Sequence, residues 1–247
     1  KSRAMKLASL LFTIAAPMAW GSISINEIRI DQPGSDNDEF IELYSTDPGA
    51  DSLANVQLVV IGDGTGASGV IESITDFSAV ASPFGSDPYF LVAESTFSLG
   101  TADFTIDLGF ENGDNVTFLL VSDFTGALAD DLDTDDDGTL DSKPWSNLID
   151  GVGLQENVDG VPVDANQEWG YGSDADINAS VGPDGIFVPG HVFRAEDTGA
   201  WQIGDFADLT LDTPGAANPS ATVVPEPSTA GLLLVSIFGM TFRRRRK

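Results

Sequence analysis

The chain has 247 residues, with 39 Asp and Glu against 11 Lys and Arg, a formal net charge of −28 and no cysteine. Such a charge repels phosphate backbones, which need Lys and Arg to displace their counterions, so direct binding of DNA or RNA is not expected. Disulfides are excluded as well, yet 42% hydrophobic residues, including 15 Phe and 4 Trp, supply enough apolar material for a folded core.

Residues 1–21 have the layout of a secretory signal peptide. Lys1, Arg3 and Lys6 precede a 14-residue apolar stretch from Leu7 to Trp20, and Ala19-Trp20-Gly21-Ser22 follows, with cleavage expected after Gly21. The stretch is shorter than the roughly 20 residues of a spanning helix. Met5 is an alternative start.

The body, residues 22–219, reads as short strands. Ser22 to Ile25 alternates polar and apolar, and Ile28 and Ile30 resume the alternation. A turn at Gln32-Pro33-Gly34-Ser35-Asp36-Asn37 leads to Glu39 through Tyr44. Further runs are Val56 to Ile61, Gly69 to Phe77, Tyr89 to Ala93, Phe104 to Leu108 and Asn115 to Val121, with Gly, Pro, Asp and Ser clusters between them. Closely spaced alternating runs of this kind predict an all-β protein, an antiparallel β-sandwich.

Residues 127–165 form an Asp- and Gly-rich insertion that contains Trp145 and a strand from Leu148 to Leu154. Its sharpest motif is Asp133-Thr134-Asp135-Asp136-Asp137-Gly138-Thr139-Leu140-Asp141. Asp133, Asp135 and Asp137 stand at positions 1, 3 and 5 of a calcium loop, Gly138 at 6, the Thr139 carbonyl at 7 and Asp141 at 9. Calcium takes six to eight oxygens, and Gly lets the chain fold back around it. Carboxylates about 6 Å apart repel by roughly 0.7–3 kcal/mol per pair without a cation. Pro144 occupies position 12, where a bidentate Glu is expected, and no helices flank the loop, so Asp150 or Asp131 is the candidate for the missing ligand. The expected cofactor is Ca²⁺, structural and weakly held at roughly 10⁻⁴–10⁻³ M, ordering the insertion so that Trp145 packs.

Catalytic signals are sparse. Gly64-Thr65-Gly66-Ala67-Ser68-Gly69 fits a dinucleotide fingerprint, but the residues after it are β-branched and small and include Pro83, so it reads as a hairpin turn. His191 is the only imidazole, there is no G-x-S-x-G, and no carboxylate pair is marked out for glycoside chemistry. The last strands are Val192 to Arg194 and Ala200 to Gln202. Arg194 is expected to pair with a carboxylate at the core edge, and Trp145, Trp169 and Trp201 to pack in the sandwich, with sugar stacking as the alternative.

After a linker at 220–223 comes Val224-Pro225-Glu226-Pro227, then the uncharged run Thr229 to Phe242, then Arg243-Arg244-Arg245-Arg246-Lys247. A cationic block behind a short apolar run is held at a cytoplasmic membrane face, which makes 224–247 a short transmembrane sorting helix. The order of parts resembles the PEP-CTERM sorting signal of Gram-negative bacteria. That resemblance implies cutting near Pro-Glu-Pro by an exosortase-type membrane protease, a transient partner. With eight of the 11 cations in the two ends, the body keeps Arg29, Lys143 and Arg194 against 38 acids, a net charge near −35.

Ile25-Asn26-Glu27-Ile28, Asp38-Glu39-Phe40-Ile41-Glu42-Leu43 and Thr213-Pro214-Gly215-Ala216-Ala217-Asn218 are similar to the bacterial lamin-tail domain. The resemblance implies an immunoglobulin-like β-sandwich in a secreted protein, with Asn26, Glu27 and Glu42 satisfying backbone groups at strand edges. Both resemblances point to an exported, non-enzymatic protein of the cell envelope or extracellular matrix, with exopolysaccharide or another matrix polymer as partner. The alternative is a secreted hydrolase or an accessory domain of one.

Overall fold

The computed structural model describes residues 22–221 apart from 64–67, 81–82, 159, 162–168, 175 and 197. The expected signal peptide, 1–21, and the expected sorting motif Val224, Pro225, Glu226 and Pro227 with the apolar run after it lie outside the described residues. Among the described residues no helix is long and apolar enough to cross a membrane.

The β-branched and aromatic runs become strands in nearly the expected places. They are β1 (Ile23–Arg29), β2 (Phe40–Ser45), β3 (Val56–Gly62), β4 (Val70–Asp76), β5 (Tyr89–Ala93), β6 (Phe104–Thr105), β7 (Val116–Ser122), β8 (Asn147–Leu154), β9 (Ser180–Val181), β10 (His191–Arg194) and β11 (Trp201–Ile203). A first sheet has the order β11-β10-β1-β2-β5-β6 and a second the order β4-β3-β7-β8-β9. Their facing sides build one core. Ile25, Ile28, Ile41, Leu43 and Val92 come from the first sheet, and Leu58, Val60, Phe118, Leu120 and Val152 from the second. The protein is therefore all-β, with two layers around a shared interior.

Three features depart from the sequence reading. The sheets are mixed, because β6 pairs parallel to β5 and β9 parallel to β8. The run expected from Phe104 to Leu108 pairs only over Phe104–Thr105. Strand β9 has two residues, too few for any period to register in the sequence. Asn26 sits at a register shift in β1, between Ile25 and Glu27. That extra residue returns Ile28 to the core and turns Glu27 and Arg29 to the opposite face.

Strands β3 and β7 read as continuous apolar runs because both of their faces are covered. On the outer side, Val59, Ile61, Leu119 and Val121 meet Leu132, Leu140, Tyr171 and Ile177 from the chain that follows β7 and β8. Trp145 and Trp169 are partly buried against the same cluster, and Trp201 against the main core. The Asp-rich insertion is thus an apolar cover with an acidic loop at its bend.

Candidate functional site

Leu132 and Leu140, both buried under the second sheet, bracket the acidic loop and fix its two ends. Between them the chain turns back. The loop is closed by Asp141 N–H donating to the Leu132 carbonyl at 2.7 Å. Asp133 is fully buried and is the loop's internal anchor. Its Oδ1 accepts Asp137 N–H at 3.1 Å, and its Oδ2 accepts Gly138 N–H at 2.9 Å and the Tyr171 hydroxyl at 2.8 Å. Burial pushes the Tyr171 phenol well up, so it stays a donor to Asp133. A relay runs behind it, in which Trp169 N–H donates to Ser68 Oγ, 3.0 Å from the Tyr171 oxygen.

Gly138 has φ +85°, and a Cβ there would lie 2.5 Å from the Trp169 ring. Gly is required at position 6 for both reasons, the left-handed backbone and the indole above it. Asp136, at φ 52°, accepts Trp169 Nε1–H on its carbonyl at 3.0 Å and Ser68 N–H on its side chain at 3.0 Å.

Of the predicted ligands, Asp133, Asp135 and Asp141 are brought together, with one carboxylate oxygen of each within 4.8 Å of the others. The charge of Asp137, then those of Asp141 and Asp133, hold the Asp135 carboxyl above its ordinary range. Asp137 is not in that group, and its Oδ1 accepts Thr139 N–H at 2.9 Å. Neither candidate for the missing ligand is free. Asp131 accepts Asp133 N–H at 3.0 Å. Asp150 belongs to another part of the fold, where it takes Arg194 Nη2 on both oxygens at 2.8 Å and the Ile25 N–H at 2.8 Å. The ion pair expected for Arg194 is therefore with Asp150, which fastens β10 to β8, and the guanidinium also lies 4.4 Å from the Trp201 ring centroid.

A second constellation sits on the outer face of the first sheet. Arg29, Glu27, Glu42 and His191 are all buried there, under the closing segment 205–218. Arg29 binds Asp212 through Nε at 2.5 Å and Nη2 at 2.6 Å, and donates to the carbonyls of Asp31, Asp205 and Phe206. His191 Nε2 is 2.8 Å from Glu27 Oε1, and its Nδ1 is 3.3 Å from Asp212 Oδ1. Glu27 accepts Thr213 N–H and faces Thr213 Oγ1 at 2.9 Å, Glu42 accepts Gly215 N–H at 2.5 Å, and Asn218 Nδ2 donates to the carbonyls of Asn26 and Arg194. The three motifs quoted for the lamin-tail resemblance meet here. Glu27 and Glu42 hold the closing segment rather than strand edges.

Glu27, His191 and Asp212 also offer a possible ligand triad. Arg29 already occupies both oxygens of Asp212, and the Gly204 backbone closes the space beside His191 Nδ1. The cluster is a buried clamp in which Arg29 and the closing segment take up the carboxylate oxygens. Its sequence signal was Arg29 itself, one of three cations in the body, set between Ile28 and Ile30 where only a buried partner could hold it. A third acidic group, Asp63, Glu72 and Glu111, gathers near the end of β3, and the charge of Asp114 acts on both Asp63 and Glu111.

The fingerprint at Gly64–Gly69 lies partly outside the described residues. Strands β3 and β4 on either side of it pair antiparallel, without the helix that a dinucleotide site needs. Compared with family models, with curated proteins and with solved structures, the chain finds no match.

Proposed function

We propose that this chain is an exported, non-enzymatic protein of the cell envelope or extracellular matrix, an immunoglobulin-like sandwich of the lamin-tail kind whose acidic insertion is ordered by Ca²⁺. Its PEP-CTERM-like tail marks it for exosortase-type processing, and a matrix polymer is its partner. The observation that carries the calcium part is Asp133. Its carboxylate is tied to the loop's own N–H groups and to Tyr171, and stands beside the Asp135 and Asp141 carboxylates, while the cations among the described residues pair with other acids. The observation behind the non-enzymatic reading is the clamp. The one His of the chain is buried between Glu27 and Asp212, out of reach of a substrate.

Calcium is tested by melting the protein with excess Ca²⁺ and with chelator, as wild type and as Asp135→Ala. The wild type is expected to gain several degrees from millimolar Ca²⁺, about 2–4 °C for each kcal/mol of linkage, and the variant to gain nothing. Equal midpoints in all four samples reject the metal. A panel of ester, phosphodiester and glycoside substrates is expected to show no turnover above buffer, and robust hydrolysis of any of them overthrows the non-enzymatic reading.

A further inference from the structure

We propose that the end of the sandwich opposite the chain's entry and exit points is a docking surface for a cationic, amphipathic polypeptide. The ends of the described chain lie together. Ser22 leads into β1, and beside it Asn218 bonds the Arg194 carbonyl while Glu196 N–H bonds Pro219. Strand β10 runs antiparallel to β1, with Arg29 opposite His191, so Arg194 and the start of β1 share one end of the sheet. Asp150 of β8 touches that half through Ile25 and Arg194, and β8 then runs away from it to Leu154.

Strand β9 lies parallel to β8, with Leu154 beside Val181, so the loops after both strands emerge together at the far end. These loops carry large apolar side chains in water. Val158 is 79% exposed, Ile186 76% and Phe187 69%, with Val161 at 42%. Ile186 stands at the tip of a tight turn, Asp184-Gly185-Ile186-Phe187, closed by Asp184 N–H to the Phe187 carbonyl at 2.9 Å and Phe187 N–H back to Asp184 at 3.1 Å. Polar residues or Gly are the norm at such a tip, where an aliphatic–aromatic pair gains nothing from the fold. Phe206, also partly exposed, lies against Gly190 just beyond, which extends the apolar area toward the closing segment.

Charge decides the occupant. Acidic residues adjoin these side chains along the chain, Glu156 before Val158, Asp184 at the start of the Ile186–Phe187 turn and Asp205 next to Phe206. The body's three cations are committed elsewhere, Arg29 to Asp212, Lys143 to Asp174 and Asp176, and Arg194 to Asp150. An apolar tip within a field of this sign repels anionic lipid and a second copy of the same chain, and attracts a segment with both Lys or Arg and apolar side chains. This inference does not depend on calcium or on the processing of the tail.

The test measures binding of the full chain to two synthetic peptides of equal length and charge by titration calorimetry, one alternating Lys with Leu in amphipathic register and one with Ser in place of Leu. The Lys/Leu peptide is expected to bind at least about tenfold tighter, the gain from covering two large side chains. Ile186→Ser/Phe187→Ser should bring the two peptides to within about twofold of each other. Leu128→Ser, at a position 62% exposed on the insertion, should leave the difference intact. Both substituted side chains point into water, so the wild-type melting curve is expected. If the double variant melts early, Val158→Ser gives the same readout. Equal binding of the two peptides, or a preference that survives the double variant, overturns the proposal and leaves only a polyanion effect. Self-association in sedimentation that the double variant abolishes overturns it in favour of a second copy.

Discussion

Arg29→Ala is expected to destabilise the body by about 3–5 kcal/mol, a large share of the about 5–15 kcal/mol by which single domains are stable. The substitution strips the buried Asp212 side chain of both of its close bonds and removes the donor to the carbonyls of Asp31, Asp205 and Phe206. The loss comes mainly from the uncompensated carboxylate, not from the attraction that has gone. A paired change, Arg29→Met with Asp212→Leu, is accordingly expected to recover at least half of the loss, because it removes both charges together. Urea denaturation of the three proteins measures this. A midpoint for Arg29→Ala within error of wild type would show that the clamp does not hold the closing segment.

How far the sequence foretold this architecture depends on what each segment had to do locally. Strand β5 appears at Tyr89–Ala93, where a short apolar run follows a Gly-, Ser-, Asp- and Pro-rich turn, and β3 and β7 begin and end within a residue of expectation, because Gly and Asp clusters bound them. Strand β9 and the parallel pairing of β6 were not legible. Two-residue strands are held by their neighbours, and a pairing direction is set by the route of the connecting chain, which no local period records. The acidic loop was legible because a calcium pattern is written in consecutive residues. The role of Asp150 was not, since its partner Arg194 is 44 residues away and the Ile25 N–H is 125 away. The clamp was half visible. Arg29, Glu27 and Glu42 were noticeable as charges inside apolar strands, but only the fold brings Asp212 and Thr213 over them.

Stability is expected to fall as the pH rises from about 5 to above 8, the reverse of the trend when paired carboxylates dominate. Burial pushes Glu42 up to about 8 from an ordinary 4.5, against the opposing pull of its bonds from Asn26 and Gly215. Burial likewise pushes Glu39 up to about 8, against its bond from Phe110 N–H and helped by the charge of Glu94. For a raised carboxyl the folded state keeps a proton that the unfolded chain gives up near 4.5. The contribution is therefore complete below that pH and is lost as the pH climbs through the folded value. The lowered carboxyls Asp76 and Asp205 act in the opposite sense, but both are exposed and screened. Glu42, fully buried, carries on the order of a few kcal/mol, which in a body of this size lowers the midpoint by roughly 10 °C between pH 5 and pH 8.5. Self-repulsion among the carboxylates adds to the trend as they ionise. Melting curves in chelator across this range measure it, with Glu42→Gln as the informative variant. Its amide cannot ionise, so the slope should shrink by roughly half, with the variant less stable than wild type at pH 5 and close to it at pH 8.5. A wild-type midpoint that is level or rises over the same interval would mean that the donors from Asn26 and Gly215 outweigh burial, and that the closing segment is held by an ionised carboxylate at every pH tested.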